Sequence, residues 1–181
     1  MNNRRASTLA GQVSLEDHAQ GRLDAEITLV QYGDYECPYT RLSRHSVHTL
    51  QRELADRLLF VFRHFPLEAI HPHARAAAAA AEAASAQGEF WAMHEYLFEH
   101  QDALEPRMLQ HYAEDLGLDA ARFDLDRQSD EVAARIDRDL ASGERSGVEG
   151  TPTFYVNGHR HDGSYDLAAL RKAVLEASSV R

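Results

Sequence analysis

Tyr32-Gly33-Asp34-Tyr35-Glu36-Cys37-Pro38-Tyr39-Thr40 is the stretch on which the reading of the chain turns, and it holds the only cysteine. The run before it, Ile27-Thr28-Leu29-Val30, is apolar and β-branched, so a buried strand is predicted from Glu26 to Asp34. A helix is predicted behind it, from Pro38 to about Asp56, because proline is tolerated in a first turn. Leu42, Val47, Leu50 and Leu54 are expected to form its apolar face, with His45 and His48 off that face. Cys37 therefore falls at a strand-to-helix turn. Unsatisfied N–H groups and the helix dipole at such a turn favour negative charge on sulfur. Arg41, one turn further on, works in the same direction, while Asp34 and Glu36 oppose it.

Outward from that turn, Leu58 to His64 reads as a second, centrally placed strand. Strand, helix and strand in about forty residues make a βαβ unit with a right-handed crossover. From His73 to Leu140 only helical periodicity appears. The alanine run from Ala76 to Ala81 fits a tightly packed helix face, since alanine favours helix and lets backbones approach closely. Helices are predicted over Phe90–Gln101, Glu105–Leu116, Ala120–Asp126 and Asp130–Ser146. The tail returns to β: Thr153 to Val156 is a strand, Asn157-Gly158 a hairpin turn, and His159 to Gly163 the return strand. Asp166 is placed to cap a last helix that runs to about Ala177.

Composition narrows the function classes. The 181 residues suffice for one domain, or one domain with an insertion, and 44% apolar with 27% charged residues fits a globular chain. A net charge of −10 argues against nucleic-acid or anionic-membrane partners, which call for clustered Lys and Arg. No apolar run is long enough to span a bilayer, so no membrane insertion is expected. The N-terminus carries Arg4-Arg5 without a hydrophobic stretch after it and reads as a flexible arm rather than an export signal. A cytoplasmic location is expected on that ground, with an extracytoplasmic one as the runner-up. A single cysteine allows no internal disulfide. Of the eleven histidines, His71 and His73 lie two apart near His64, and His159 and His161 form a second pair. Two ligands do not make a site, so no metal is expected.

The order βαβ, helical block, ββα, with the cysteine at the first strand-to-helix turn, resembles the thioredoxin fold with a helical insertion. More narrowly it resembles the DsbA-like proteins, in the bacterial branch that occurs alone or fused to a sodium/proton antiporter. The phrases that carry the resemblance are Leu29 to Tyr39, Arg63-His64-Phe65-Pro66-Leu67, His71-Pro72-His73-Ala74, Gly88-Glu89-Phe90-Trp91 with His94, Gly147-Val148, Gly150-Thr151-Pro152-Thr153-Phe154 and Asn157-Gly158. The resemblance implies an α/β fold with an arm over 1–14, a thioredoxin-like domain over 15–66 and 147–181, and an inserted helical domain over 67–146. It also implies a cis Thr151–Pro152 bond beside the active cysteine. Two positions depart from the family pattern. Thr40 stands where a second cysteine completes Cys-Pro-Tyr-Cys, and Gln31 stands where an acid is often found.

The implied activity is thiol–disulfide exchange through Cys37, with Thr40 at the position of the second thiol. Pro38, Tyr39, Thr151 and Pro152 are the implied substrate-binding residues. Lacking an internal resolving thiol, the mixed disulfide passes to the substrate's own second thiol or to an external one. No bound cofactor is expected; glutathione or another small thiol is the co-substrate, and protein or peptide disulfides are the partners. Isomerase, reductase and deglutathionylation reactions all fit. Two other readings stand beside this one. The first is a redox-silent module that grips peptide beside Pro152 or docks on a transporter. The second is a glutathione-dependent transferase or isomerase.

Overall fold

The computed structural model describes residues 8–179, so the first seven residues of the expected arm lie outside the described residues. The chain divides into two compact units. One takes in the described residues of Met1–Gly33, Tyr39–Arg63 and Ala141–Arg181; the other takes in Asp34–Pro38 and His64–Leu140.

The first unit is built on a five-stranded sheet. In chain order its strands are β1 (His18–Gln20), β2 (Ile27–Gly33), β3 (Leu58–His64), β4 (Thr153–Val156) and β5 (His159–His161). Their order across the sheet is β1-β3-β2-β4-β5. Strand β3 is buried along its whole length: the aliphatic and aromatic run Leu58 to Phe62 requires it, and Arg63 and His64 are buried on polar partners. The Asn157-Gly158 turn folds β5 back antiparallel on β4, pairing Val156 with His159. β2 and β4 are antiparallel, with Gln31 opposite Phe154.

Helix α1 (Pro38–Leu54) follows β2 and ends in a 3-10 turn, Ala55–Arg57. It buries Thr40, Ser43, Ser46, Val47, Leu50 and Leu54. Leu42, expected on the apolar face, is 61% exposed. It stands five residues before Val47, about 140° away around a helix, whereas Ser43 stands four before and shares the buried side. The first turns of α1 are thus packed through small hydroxyl side chains, a pattern that a hydrophobicity count passes over. Arg63 ties the unit together from inside. It is buried and donates through Nε and Nη2 to both oxygens of Asp17, at 2.7 and 3.0 Å. Its Nη1 donates to Tyr32 Oη at 3.1 Å and to Ser142 Oγ at 3.2 Å. Burial opposes the charge on Arg63, but the bonds to Asp17 and Tyr32 outweigh it and hold the guanidinium well above its ordinary range.

The second unit is helical: α2 (Ala74–Ser85), α3 (Phe90–Glu99), α4 (Pro106–Asp115), α5 (Ala120–Asp126) and the first part of α6 (Asp130–Ser146). The alanines of α2 are its packing face; Ala77, Ala80, Ala81, Ala83 and Ala84 are fully buried. α2 packs against α3, α4 and α5. Pro106 opens α4, and the Asp119 carboxylate caps α5 by accepting from Arg122 N at 3.0 Å. The last helix, α7 (Leu167–Ser178), belongs to the first unit; the Asp166 carboxylate caps it, and it packs on β2 and β4.

A buried charge cluster closes the second unit. His64 Nε2 lies 2.7 Å from Glu82 Oε1, and Asp139 Oδ2 accepts from His64 N at 3.0 Å. Arg135 reaches both carboxylates at 3.6 Å. Burial pushes the Asp139 carboxyl above its ordinary range, against the lowering pull of His64 and Arg135. A carboxyl raised in the folded state binds its proton more tightly there than in the unfolded chain. Its contribution is most favourable below the unfolded value and is lost as pH rises through the folded one. Asp139→Asn keeps an acceptor for His64 N but removes the titration. Compared with the wild type by urea unfolding, the variant is expected to gain relative stability as pH rises above the ordinary carboxylate value of about 4.

Two glycines make a second test. Gly21 has φ +111°, and a Cβ there falls 2.2 Å from the Leu58 carbonyl oxygen. Gly88 has φ +84° with open space around it. Gly21→Ala is expected to cost about 3 kcal/mol in urea unfolding, since strain and a clash with backbone add. Gly88→Ala carries the strain alone and is expected to cost about 1 kcal/mol.

Candidate active site

The turn from Asp34 to Pro38 is fixed by polar contacts within its own unit. The Asp34 carboxylate is fully buried and accepts three hydrogen bonds. Oδ1 takes the Glu36 N–H at 2.8 Å; Oδ2 takes the Leu67 N–H at 2.9 Å and His71 Nδ1–H at 2.8 Å. Cys37 N donates to Asp34 O at 3.2 Å and closes the turn. Glu36 Oε2 accepts from His73 N at 2.6 Å. The two acids expected to oppose a thiolate thus spend their charge on the loop that carries His71 and His73.

Gln101 holds the other side of the turn. Its Nε2 donates to Tyr35 O at 2.7 Å and to Cys37 O at 2.9 Å. The Tyr35 ring is buried, with its hydroxyl 3.0 Å from His94 Nδ1 and its ring centroid 4.9 Å from that of Phe98. Cys37 itself is 3% exposed and immediately precedes the first residue of α1. No acidic residue stands in the first turn of that helix. Cys37 thus stands at the N-terminus of a helix, the end that favours negative charge, on a backbone held by its hydrogen bonds.

Of the other implied site residues, Pro38 belongs to the same unit as Cys37, and Tyr39, Thr40, Thr151 and Pro152 belong to the sheet unit. Pro38 and Tyr39 are exposed at the start of α1; the Tyr39 ring stands 6.3 Å from Tyr165. Thr40 is fully buried. Its methyl lies so close to Gly33 that a Cβ at Gly33 falls 3.0 Å from it and 2.4 Å from the Phe62 ring. Thr151–Pro152 is a cis peptide, the geometry the resemblance implies, and Thr153 Oγ1 donates to Gly150 O at 2.7 Å just beyond it. Gln31 and Thr40, the two departures from the family pattern, are joined. Gln31 Nε2 donates to Ser43 Oγ at 3.0 Å, and Ser43 Oγ donates to Thr40 O at 2.7 Å.

The sequence reading passed over Gln101, Ser43 and the contact of Tyr35 with His94. Gln101 follows a helix end with no local pattern around it. Ser43 is visible only once the buried side of α1 is known. His71 and His73 carried a signal in their spacing, but it marks a loop clamp: one uses its ring, the other its backbone N–H. His161 Nε2 lies 2.8 Å from Ser164 O.

A family model described as Thioredoxin matches residues 14–176. The Na(+)/H(+) antiporter NhaA of Herminiimonas arsenicoxydans is 47% identical over 162 residues, which are 90% of this chain and 25% of the antiporter. The antiporter NhaA 1 of Salinispora arenicola is 46% identical over 161 residues, 89% of this chain and 24% of that protein. The chain spans about a quarter of the length of these curated relatives. Among solved structures, a thioredoxin-like oxidoreductase from Silicibacter pomeroyi superposes with TM-score 0.83 at 27% identity, over 93% of this chain and 95% of that one. Oxidised BdbD of Bacillus subtilis superposes with TM-score 0.82 at 23% identity, over 96% and 99%, a likeness of fold alone.

Removing the Asp34 carboxylate strips three donors of their buried acceptor. Asp34→Ala is expected to cost about 3 kcal/mol or more in urea unfolding. Hydrogen exchange is expected to show the loss at the Glu36 and Leu67 amides first.

Proposed function

The chain belongs to the thioredoxin family, and on that premise we propose that it is a DsbA-like thiol–disulfide oxidoreductase working through one nucleophile, Cys37. The observation that carries the reading is a single thiol on a clamped turn at the N-terminus of α1, with buried Thr40 in the position of the second thiol. The Cys37 thiolate attacks one sulfur of a substrate disulfide. A Cys37–substrate S–S bond forms, the substrate S–S bond breaks, and the second substrate sulfur leaves as a thiolate. A second thiolate, from the substrate or from glutathione or a similar small thiol, then attacks the mixed disulfide and releases Cys37. The enzyme ends as it began, so the net reaction is isomerisation or transfer of a disulfide. Pro38 and Tyr39 follow the nucleophile in sequence, and Thr151 with cis Pro152 supplies backbone for an extended substrate. A reducing compartment such as the cytoplasm supplies the resolving thiol.

The antiporters matched over a quarter of their length favour a second reading, a module that docks on a transporter. Oxidised glutathione separates the two. Intact mass is expected to rise by one glutathionyl group in the wild type and to stay unchanged in Cys37→Ser. Thr40→Cys is expected to gain dithiol oxidase activity on a reduced peptide. A wild type that takes up no glutathione at mildly alkaline pH, together with an inert but folded Thr40→Cys, overturns the exchange reading and leaves the docking one.

A further inference from the structure

Helix α1 is charged against the sign of its chain. The protein carries −10 overall, yet from Pro38 to Arg52 there is no carboxylate, and Arg41, Arg44, His45, His48 and Arg52 stand at spacings of three, four and seven. On a helix these five positions fall within about 100° of arc, a single stripe. Arg41, His45 and Arg52 are exposed, and Arg44 and His48 are half-buried. The next acid, Glu53, is turned onto Arg171, which meets both its oxygens at 2.8 and 2.5 Å. The stripe begins one turn after Cys37 and runs from Arg41 to Arg52, eleven steps of 1.5 Å or about 16 Å. That length matches about five residues of extended chain and exceeds a tripeptide thiol.

We infer that this stripe is a docking surface for an acidic, extended protein segment beside the substrate cysteine, and so sets which disulfides reach Cys37. The inference rests on the exchange reading above and adds the substrate class to it. Helix-borne guanidinium groups raise the local concentration of anionic partners through long-range attraction, and salt screens the effect.

The test uses three peptides, each with one cysteine held as a mixed disulfide with thionitrobenzoate and flanked by glutamates, serines or lysines. Cys37 thiolate attacks the peptide sulfur, the old S–S bond breaks, and coloured thionitrobenzoate thiolate leaves with the bonding electrons. At low salt the glutamate peptide is expected to react about tenfold or more faster than the lysine peptide. The gap is expected to close in about 0.5 M salt and in the Arg41→Ser, His45→Ser, Arg52→Ser triple variant. Equal rates at low salt, or a preference that survives in the triple variant, overturn the docking surface and leave the exchange reading intact. Glutathionylation of Cys37 without reaction of any peptide also overturns it, in favour of small anionic disulfides. If Cys37 exchanges with nothing, the proposed function falls, and the surface is judged by anisotropy of a labelled glutamate peptide on Cys37→Ser. Salt-sensitive binding lost in the triple variant then sustains the surface, and absence of binding overturns it.

Discussion

A buried carboxylate with three donors on it governs the geometry of the turn that presents Cys37. Asp34 accepts from Glu36 N, Leu67 N and His71 Nδ1. An ionised carboxylate out of water is tolerable only when its lone pairs are met in this way. The requirement acts in both directions. It fixes the peptide plane just before the cysteine, and it draws the loop after β3 against that turn. Gln101 repeats the device with neutral groups by donating to two carbonyls of the same turn. The thiol therefore sits on a backbone fixed by hydrogen bonds within its own unit, which for the proposed exchange lowers the ordering cost of reaction.

The two departures from the family pattern have one structural account. Gln31 is buried and donates to Ser43, whose hydroxyl donates onward to the Thr40 carbonyl. An amide supplies that first proton at any pH; a carboxylate supplies none unless protonated. Thr40, packed against Gly33 and Phe62, fills its position with a methyl and a hydroxyl. Neither position keeps a titratable group, so the chemistry left to the turn is that of one sulfur.

Most of the fold was legible because it rests on period and turn chemistry. The apolar run of β3, the Asn157-Gly158 hairpin, the alanine face of α2 and the Asp166 cap all announce themselves locally, and the structure places them within a residue or two of expectation. The failures have a common cause. Leu42 was assigned inward because it is apolar, while the buried side of α1 is set by the four-residue spacing from Ser43 through Val47. Gln101 and Ser43 act on residues 64 and 3 positions away, through single hydrogen bonds that no periodicity encodes. The place of Cys37 just before the helix that Pro38 opens, and the cis Thr151–Pro152 bond, match expectation because a turn residue and a motif coincide there. The clamp that orients Cys37 is made of ordinary polar residues and becomes visible only in three dimensions.

Rigidity at the turn has a consequence for selectivity. On the proposed function, a nucleophile held by Asp34 and Gln101 and 3% exposed has little freedom to adapt to different substrates. Discrimination must then come from surfaces that meet the substrate before the sulfur does. In an acidic chain, a helix face carrying three arginines and two histidines without a carboxylate is such a surface. Its field favours encounter with acidic segments, whereas two copies of this chain, each with a net charge of −10, repel one another at the distances where steering operates. The same distribution bears on a hazard of the proposed single-thiol mechanism, a disulfide between the Cys37 residues of two copies. Mutual repulsion slows that encounter, while a substrate of suitable charge is drawn in.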